Sequence, residues 1–199
     1  MAGDPARIGI FGGTFDPIHS GHIEAADTVY RSLGLDRMLL VVANEPWQKE
    51  GTRSVTPAED RYAMVEAATV GHPGLEPSRI EIERGGPSYT VDTVNELHRR
   101  YPSSELIVVV GADVVGDLST WRDEPTLRQN ATLAVVDRPG VRPVDPPAGW
   151  RSVRVPVAPF DVSSTELRSR LETGQSVDGL VPDPVIRCIR LRGLYATGR

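Results

Sequence analysis

The sequence contains little cysteine, almost no lysine and no long hydrophobic run. A single cysteine, Cys188, excludes an internal disulfide and a cysteine-rich metal site. No stretch approaches the roughly 18 consecutive apolar residues that a membrane-spanning helix needs, so we expect no transmembrane segment. The opening residues MAGDPAR lack the apolar core of a signal peptide. The cytoplasm is therefore the expected compartment.

The charged residues exclude a further class of function. The formal net charge is −5, which argues against non-specific binding to nucleic acid. Of the 22 basic residues, all except Lys49 are arginine. A lone lysine on this background indicates a position where a compact ammonium group serves better than a planar guanidinium.

The hydrophobic pattern predicts one α/β domain that spans residues 1–199. The composition, 39% hydrophobic and 25% charged, allows a sizeable core. Apolar or alternating runs predict strands at residues 8–11, 38–43, 79–83, 105–110, 131–136 and 152–157. Strands that alternate with helices favour a Rossmann-like, doubly wound and mostly parallel sheet in the order 3-2-1-4-5-6. The sequence leaves open whether the protein forms a homo-oligomer.

The segment GGTFDPIHSGH, residues 12–22, joins the first predicted strand to the first predicted helix, and open α/β sheets bind ligands at such turns. Its glycines let the backbone approach a ligand, and the N–H groups of the new helix favour a phosphate. His19 and His22 stand three residues apart at the helix start, so both rings can face one point. The spacing fits neither the dinucleotide fingerprint nor a P-loop. A plain glycine-rich turn, and a zinc site that includes Asp16, remain as alternatives.

Later in the chain, polar residues again follow buried runs. The segment SYTVDT, residues 88–93, predicts a helix start with Ser88 or Thr90 as the cap. Asp113 closes the segment after the clearest buried strand, where its carboxylate suits either a polar ligand or a helix cap. Trp121 stands in a polar context that favours an exposed ring, with packing against a helix as the alternative.

Two further helix starts are predicted from capping boxes. Thr56 and Glu59 have the spacing of a capping box with a proline between them, and Ser163 and Glu166 repeat that spacing. Arg61 follows the first box, and we interpret it as an ion-pair or scaffold residue rather than a ligand.

Together these motifs resemble the nicotinate-nucleotide adenylyltransferases of the Thr/His-x-Gly-His nucleotidyltransferase superfamily. Residues 12–22 match Gly-Gly-x-Phe-Asp-Pro-x-His-x-Gly-His, and residues 88–93 match Ser-Tyr-Thr-x-Asp-Thr. Residues 162–168 match Ile-Ser-Ser-Thr-x-Ile/Leu-Arg, with Val162 in place of isoleucine. The resemblance covers nearly the whole chain. One departure is Gln48, where the family often has histidine.

The resemblance implies a role for each matched residue. It implies a catalytic set of His19, His22, Lys49 and Arg168. It implies ATP contacts from Gly12, Gly13, Thr14, Phe15, His19, Gly21, His22, Gly111, Asp113, Ser163, Ser164, Thr165 and Arg168. It implies contacts to the second substrate from Lys49, Ser88, Tyr89, Thr90 and Trp121.

The reaction that the resemblance implies is adenylyl transfer from ATP to nicotinate mononucleotide, which yields deamido-NAD and pyrophosphate in NAD biosynthesis. Mg²⁺ is expected to arrive with ATP, since the sequence offers no carboxylate cluster for a protein metal site. Nicotinamide mononucleotide and phosphopantetheine remain alternative acceptors, although phosphopantetheine enzymes usually lack the SYTVDT helix. A cytidylyltransferase is less well matched, because its Arg-Thr-x-Gly-Ile-Ser-Thr-like segment is absent. A nucleotide-binding regulator without turnover is the alternative from a different class.

Overall fold

A computed structural model of the chain describes residues 5–46, 54–137, 144–158 and 160–196. Within these ranges the strands are β1 (Arg7–Gly13), β2 (Arg37–Val42), β3 (Leu75–Ser78), β4 (Glu105–Gly111), β5 (Thr132–Val136) and β6 (Ser152–Val155). The helices are α1 (Ser20–Ser32), α2 (Ala58–Thr69), α3 (Ile80–Arg84), α4 (Thr90–Arg100), α5 (Glu124–Asn130), α6 (Ser164–Glu172) and α7 (Asp183–Arg192). A 3₁₀ helix covers Val115–Thr120.

The described strands form one six-stranded sheet in the order β3-β2-β1-β4-β5-β6, as the sequence predicts. All neighbouring pairs are parallel. The chain first winds from β1 outward to β3 and then crosses to the other side of β1 to begin β4. This reversal leaves a crevice outside the carboxyl ends of β1 and β4, where Gly13 and Gly111 end their strands.

Two hydrophobic clusters cover the two faces of the sheet. The period of two along β2 separates them, with Met38 and Leu40 on one face and Leu39 and Val41 on the other. The first cluster includes buried residues of α1, α2, α6 and α7, and the second those of α4, α5 and the 3₁₀ helix. Side chains of the first cluster pack directly on the backbone of Gly9 in β1, since a Cβ there would lie 2.7 Å from Leu35.

The strand predicted at residues 79–83 is wrong, because Ile80–Arg84 form the short helix α3. The third strand is Leu75–Ser78, directly before it. Pro77 lies within that strand, where its missing N–H is tolerated because β3 is at the edge of the sheet. A five-residue run with two isoleucines fits a helical turn as well as a strand. A half-buried strand would bury Ile80 and expose Glu81, but Glu81 is buried as well.

Helix starts give mixed outcomes. The prediction of Thr56 as a cap is wrong, since Pro57 is the N-cap of α2 and no side chain caps this helix. Instead the carbonyl of Thr56 accepts a hydrogen bond from Arg61 Nε at 2.7 Å. The prediction of Ser163 as a cap is confirmed, because its Oγ accepts the N–H of Glu166 at 3.2 Å. No helix in the described ranges is long and apolar enough to cross a membrane.

Candidate active site

A cavity of about 260 Å³ occupies the crevice between the carboxyl ends of β1 and β4. Three segments that the sequence singles out converge on it: the turn at residues 12–22, hereafter the histidine turn, the start of α4, and the chain that follows β4. The predicted site residues that line the cavity are Gly12, Gly13, Thr14, Phe15, His22, Ser88, Tyr89, Thr90, Gly111, Asp113 and Trp121. The topology therefore brings together residues that lie far apart in the chain.

The two histidines of the turn lie against each other. Their ring centroids are 3.7 Å apart, at an interplanar angle of 32°. The N–H of His19, which is the N-cap of α1, donates to His22 Nδ1 at 3.3 Å. Phe15 supports the His22 ring edge-on, with centroids 5.2 Å apart. The two rings are thus close together, but only His22 of the pair lines the cavity, while His19 is buried.

The start of α6 is fastened to the histidine turn. Ser164 Oγ donates to the carbonyl oxygen of Pro17 at 3.0 Å. Arg168 Nη1 donates to the carbonyl oxygen of Asp16 at 2.7 Å, and its Nη2 donates to Thr165 Oγ1 at 3.0 Å. Ser163, Ser164, Thr165 and Arg168 are not among the residues that line the cavity. They lie beside the turn, so their helix start adds N–H groups and a guanidinium to the same region.

The glycines of the turn serve two purposes. A Cβ at Gly12 would meet nothing within 4 Å, so this backbone is open toward a ligand. A Cβ at Gly13 would lie 2.8 Å from the Phe15 ring, and one at Gly21 would lie 2.9 Å from Phe160. At these two positions the close approach that requires glycine is made by aromatic side chains of the protein itself.

The start of α4 forms the opposite wall of the cavity. The N-cap is Tyr89, which corrects the prediction of Ser88 or Thr90. Ser88 instead joins α4 to the loop after β2: its N–H donates to the Glu45 carbonyl at 2.9 Å, and its Oγ accepts the N–H of Asn44 at 2.8 Å. Because α4 begins at Thr90, its first N–H groups precede any intrahelical acceptor and lie at the cavity.

Trp121 and Arg122 complete that wall. The Trp121 ring is half-buried against the second hydrophobic cluster, so it combines the packed and the exposed alternatives. Its Nε1 is buried and has no hydrogen-bond partner among the described residues. Arg122, which the sequence reasoning missed, places its guanidinium 4.6 Å from the centre of the Tyr89 ring and 3.6 Å from Asp92 Oδ2. Its position next to Trp121 was the only signal that could have indicated it.

Asp113 is exposed at the rim of the cavity, two residues beyond β4. The helix-cap alternative is wrong, since Val114 is the N-cap of the 3₁₀ helix that follows. The carboxylate therefore lies where a polar ligand can reach it. Lys49, with its neighbours Trp47 and Gln48, lies outside the described residues. Within those residues there is no group of three or more histidine, cysteine or acidic side chains that could hold a metal ion.

Arg61 connects two loops of the site through buried hydrogen bonds. It is 1% exposed. Its Nη1 donates to the carbonyls of Thr14, at 2.9 Å, and Ala43, at 2.6 Å. Its Nη2 donates to the Asn44 carbonyl at 3.0 Å. One guanidinium thus joins the loops that follow β1 and β2, which is the scaffold role expected from the sequence.

Comparison with known proteins finds relatives over nearly the whole chain. A profile of the cytidylyltransferase-like family matches residues 10–170. A protein of Corynebacterium kroppenstedtii that bears the name "Probable nicotinate-nucleotide adenylyltransferase" is 46% identical over 192 residues, which cover 95% of this chain and 90% of the relative. Relatives of the same name from Streptomyces coelicolor and Thermus thermophilus are each 45% identical. They cover 92% and 95% of this chain, and 98% and 99% of their own lengths, respectively.

A solved structure shares the fold at low sequence identity. The Plasmodium falciparum nicotinic acid mononucleotide adenylyltransferase, complexed with NaAD, superimposes with a TM-score of 0.77 at 17% identity. The match covers 96% of this chain and 97% of that protein. Because the sequence relatives are similar over almost their whole lengths and carry one common name, this chain belongs to the nicotinate-nucleotide adenylyltransferase family.

Proposed function

We propose that this protein transfers the adenylyl group of ATP to nicotinate mononucleotide, with deamido-NAD and pyrophosphate as products. The observation that carries the proposal is the cavity at the reversal of the sheet, with the histidine turn on one wall and the start of α4 with Trp121 on the other. Such a crevice accommodates two nucleotides end to end, so that their phosphates meet near the turn. The family membership of the chain points to the same reaction.

The chemistry requires positioning more than proton transfer. The attacking group is a phosphate oxygen of the mononucleotide, which is largely dianionic near neutral pH because the second pKa of a phosphate monoester is about 6. No general base is therefore assigned. The barrier lies in bringing two anions into line and in stabilising the charge on the leaving pyrophosphate.

We assign the phosphate end of the site to the histidine turn and the start of α6. His22, which lines the cavity, is assigned a contact with the phosphates, and the buried His19 is assigned to them from the sequence. Arg168 supplies a permanent positive charge beside them. Lys49 is assigned to the same task from the sequence. The N–H groups that begin α1 and α6, with Ser163, Ser164 and Thr165, add dipoles that favour an anion.

The sugar and base of ATP are assigned to the floor of the cavity. The open backbone at Gly12 and the segment from Gly13 to Phe15 line this part of the cavity. Gly111 continues that surface at the end of β4, and the exposed carboxylate of Asp113 suits ribose hydroxyls. Gly21 keeps the first turn of α1 close to its neighbours.

The pyridine end is assigned to the opposite wall. Trp121 offers a half-buried aromatic face for stacking, and the N–H groups at the start of α4, Ser88 to Thr90, face the carboxylate of nicotinate. Since the Ser88 N–H donates to the Glu45 carbonyl, the contact with the carboxylate is assigned to the residues that follow Ser88. A site made of donors prefers a carboxylate to a carboxamide, whose NH₂ would remain unpaired.

Mg²⁺ fits this site as an ion carried by ATP. Because no cluster of protein ligands exists among the described residues, triphosphate oxygens and water are the expected ligands. When bound, the ion supplies positive charge that neutralises the phosphates during transfer. The expectation of a cytoplasmic enzyme stays a prediction from the sequence.

The test is a stoichiometric assay with ATP labelled in its α-phosphate. Purified protein is incubated with labelled ATP, MgCl₂ and nicotinate mononucleotide, and the products are separated by anion-exchange chromatography. We expect label in deamido-NAD and one unlabelled pyrophosphate for each dinucleotide formed. Parallel reactions contain nicotinamide mononucleotide, phosphopantetheine or no acceptor.

Three results would contradict the proposal: no labelled dinucleotide with nicotinate mononucleotide, label released as free AMP, or faster transfer to phosphopantetheine. The first of these, together with tight binding of both nucleotides, would instead favour a regulator without turnover.

A further inference from the structure

The segment that follows α7 turns back onto the histidine turn. Gly193, the C-cap of α7, has a φ of 61°, and Tyr195 has the same φ of 61°. Left-handed backbone is uncommon for a residue with a β-carbon and is retained only where the surrounding structure dictates it. The contacts of the Tyr195 side chain supply such a reason.

The Tyr195 hydroxyl reaches the interior of the turn. It donates to Asp16 Oδ1 at 2.7 Å and lies 3.8 Å from Met64 Sδ. Asp16 is 1% exposed, and a buried carboxylate is costly unless donors satisfy it. Burial of the ring and the adjacent Asp16 carboxylate raise the pKa of Tyr195, so the hydroxyl remains a donor at neutral pH.

Asp16 is held at two points. Tyr195 binds its side chain, and Arg168 Nη1 donates to its main-chain oxygen at 2.7 Å. Asp16 lies three residues before His19, within the histidine turn. We propose that Tyr195 is a positioning residue, which acts through Asp16 to fix the histidine turn and Arg168 in the geometry that adenylyl transfer requires.

The role of Tyr195 rests on the proposed function because kcat for adenylyl transfer is the quantity measured. Tyr195 lies apart from the pyridine end of the site. It packs with the first hydrophobic cluster and Trp121 with the second, on opposite faces of the sheet. Loss of the Tyr195 hydroxyl should therefore disturb the phosphate end and leave the pyridine end intact.

The variant Tyr195→Phe removes the hydroxyl alone. We expect kcat to fall on the order of tenfold, since small misplacements remote from the reacting atoms are amplified in catalysis. We expect KM for nicotinate mononucleotide to stay within about twofold, because that substrate is held at the other wall. Tyr101→Phe is the matched control: its hydroxyl also makes a hydrogen bond, accepting Arg37 Nη1 at 3.0 Å, but outside the site. It should keep the wild-type kcat.

A double-variant cycle with Asp16→Ala, which removes the acceptor, distinguishes positioning from general loss of stability. If Tyr195 acts through Asp16, adding Tyr195→Phe to Asp16→Ala should lower kcat by less than about twofold more. The proposal is overturned by an unchanged kcat in Tyr195→Phe, by an equal loss in Tyr101→Phe, or by a full tenfold loss in the Asp16→Ala background. Each kcat is normalised to the folded fraction from thermal melts. Inactivity of the wild-type protein would contradict the proposed function instead.

Discussion

The N–H of His19 donates to Nδ1 of His22, and the two imidazole rings lie 3.7 Å apart. This bond closes the first turn of α1 and fixes the orientation of the ring that lines the cavity. One face of His22 is supported by Phe15, so the ring has little freedom. If His22 binds the phosphates as proposed, this fixed orientation preorganises its ring before the ligand arrives.

We expect His22→Ala to lower kcat on the order of 10²-fold, or about 3 kcal/mol of lost charge stabilisation. The protein should remain folded, because the variant loses one cap hydrogen bond worth roughly 1 kcal/mol. His98→Ala is the control, since His98 is exposed in the last turn of α4. Turnover close to wild type in His22→Ala would contradict the assignment, and so would the same loss in His98→Ala.

Arg61→Lys should destabilise the protein although it keeps the positive charge. The Arg61 side chain donates to four carbonyl oxygens in the loops that follow β1 and β2, those of Thr14, Ala43, Asn44 and Thr56. A single ammonium cannot reach them all from one position. Leaving one or two buried carbonyls unpaired costs roughly 2–4 kcal/mol in the free energy of unfolding. Urea denaturation measures the change.

Arg187→Lys, on the exposed face of α7, provides the comparison for Arg61→Lys and should stay within about 0.5 kcal/mol of wild type. If both variants unfold at the same urea concentration, the scaffold role of Arg61 is refuted.

A pair of glycine variants tests the packing of the turn before β3. Gly74 has a φ of +91°, and a Cβ there would overlap the ring of Tyr30, whereas Gly71 has a φ of +84° with open space around it. Gly71→Ala should cost about 1 kcal/mol from backbone strain alone. Gly74→Ala should cost roughly 1–3 kcal/mol more, because the tyrosine must move. Equal melting temperatures for the two variants would show that the contact with Tyr30 is unimportant.

The sequence predicts those parts of the structure that depend on local patterns. Buried parallel strands such as β4 are continuous apolar runs, and the histidine turn is marked by its glycines and histidines. The strand order follows from the usual winding of alternating strands and helices. The Ser163 cap could be predicted because its partner lies three residues away.

Features that depend on distant contacts could not be predicted in this way. Ile80–Arg84 has a pattern that suits either a strand or a helix. In the helix α3, the buried Glu81 accepts a hydrogen bond from Thr93 Oγ1 at 2.5 Å, a contact with a residue outside the segment. Tyr195 meets Asp16 from 179 positions away, with no local signal in the sequence around it. Tertiary contacts of this kind decide the conformation of short segments against their own weak preferences.

Trp121 should contribute to the binding of both mononucleotides. We expect its ring to stack on the substrate rather than only to pack against the protein. Trp121→Ala removes the stacking face of the cavity and should raise KM for nicotinate mononucleotide about tenfold, since stacking of an aromatic base is worth roughly 1–3 kcal/mol. Trp150 also packs against the second cluster but does not line the cavity, so Trp150→Ala is the matched control. An unchanged KM in Trp121→Ala would remove this residue from the site.

The most direct test of the central claim is the ratio of kcat/KM for nicotinate and nicotinamide mononucleotide, measured with wild-type protein at saturating ATP. The two acceptors differ only in a carboxylate or a carboxamide. Hydrogen-bond mismatch and the dipole of α4 together favour the acid by roughly 2–4 kcal/mol, or about 30- to 1,000-fold. A ratio within that range would support nicotinate mononucleotide as the acceptor, with its pyridine carboxylate bound at the start of α4. Equal values, or a preference for the amide, would contradict it.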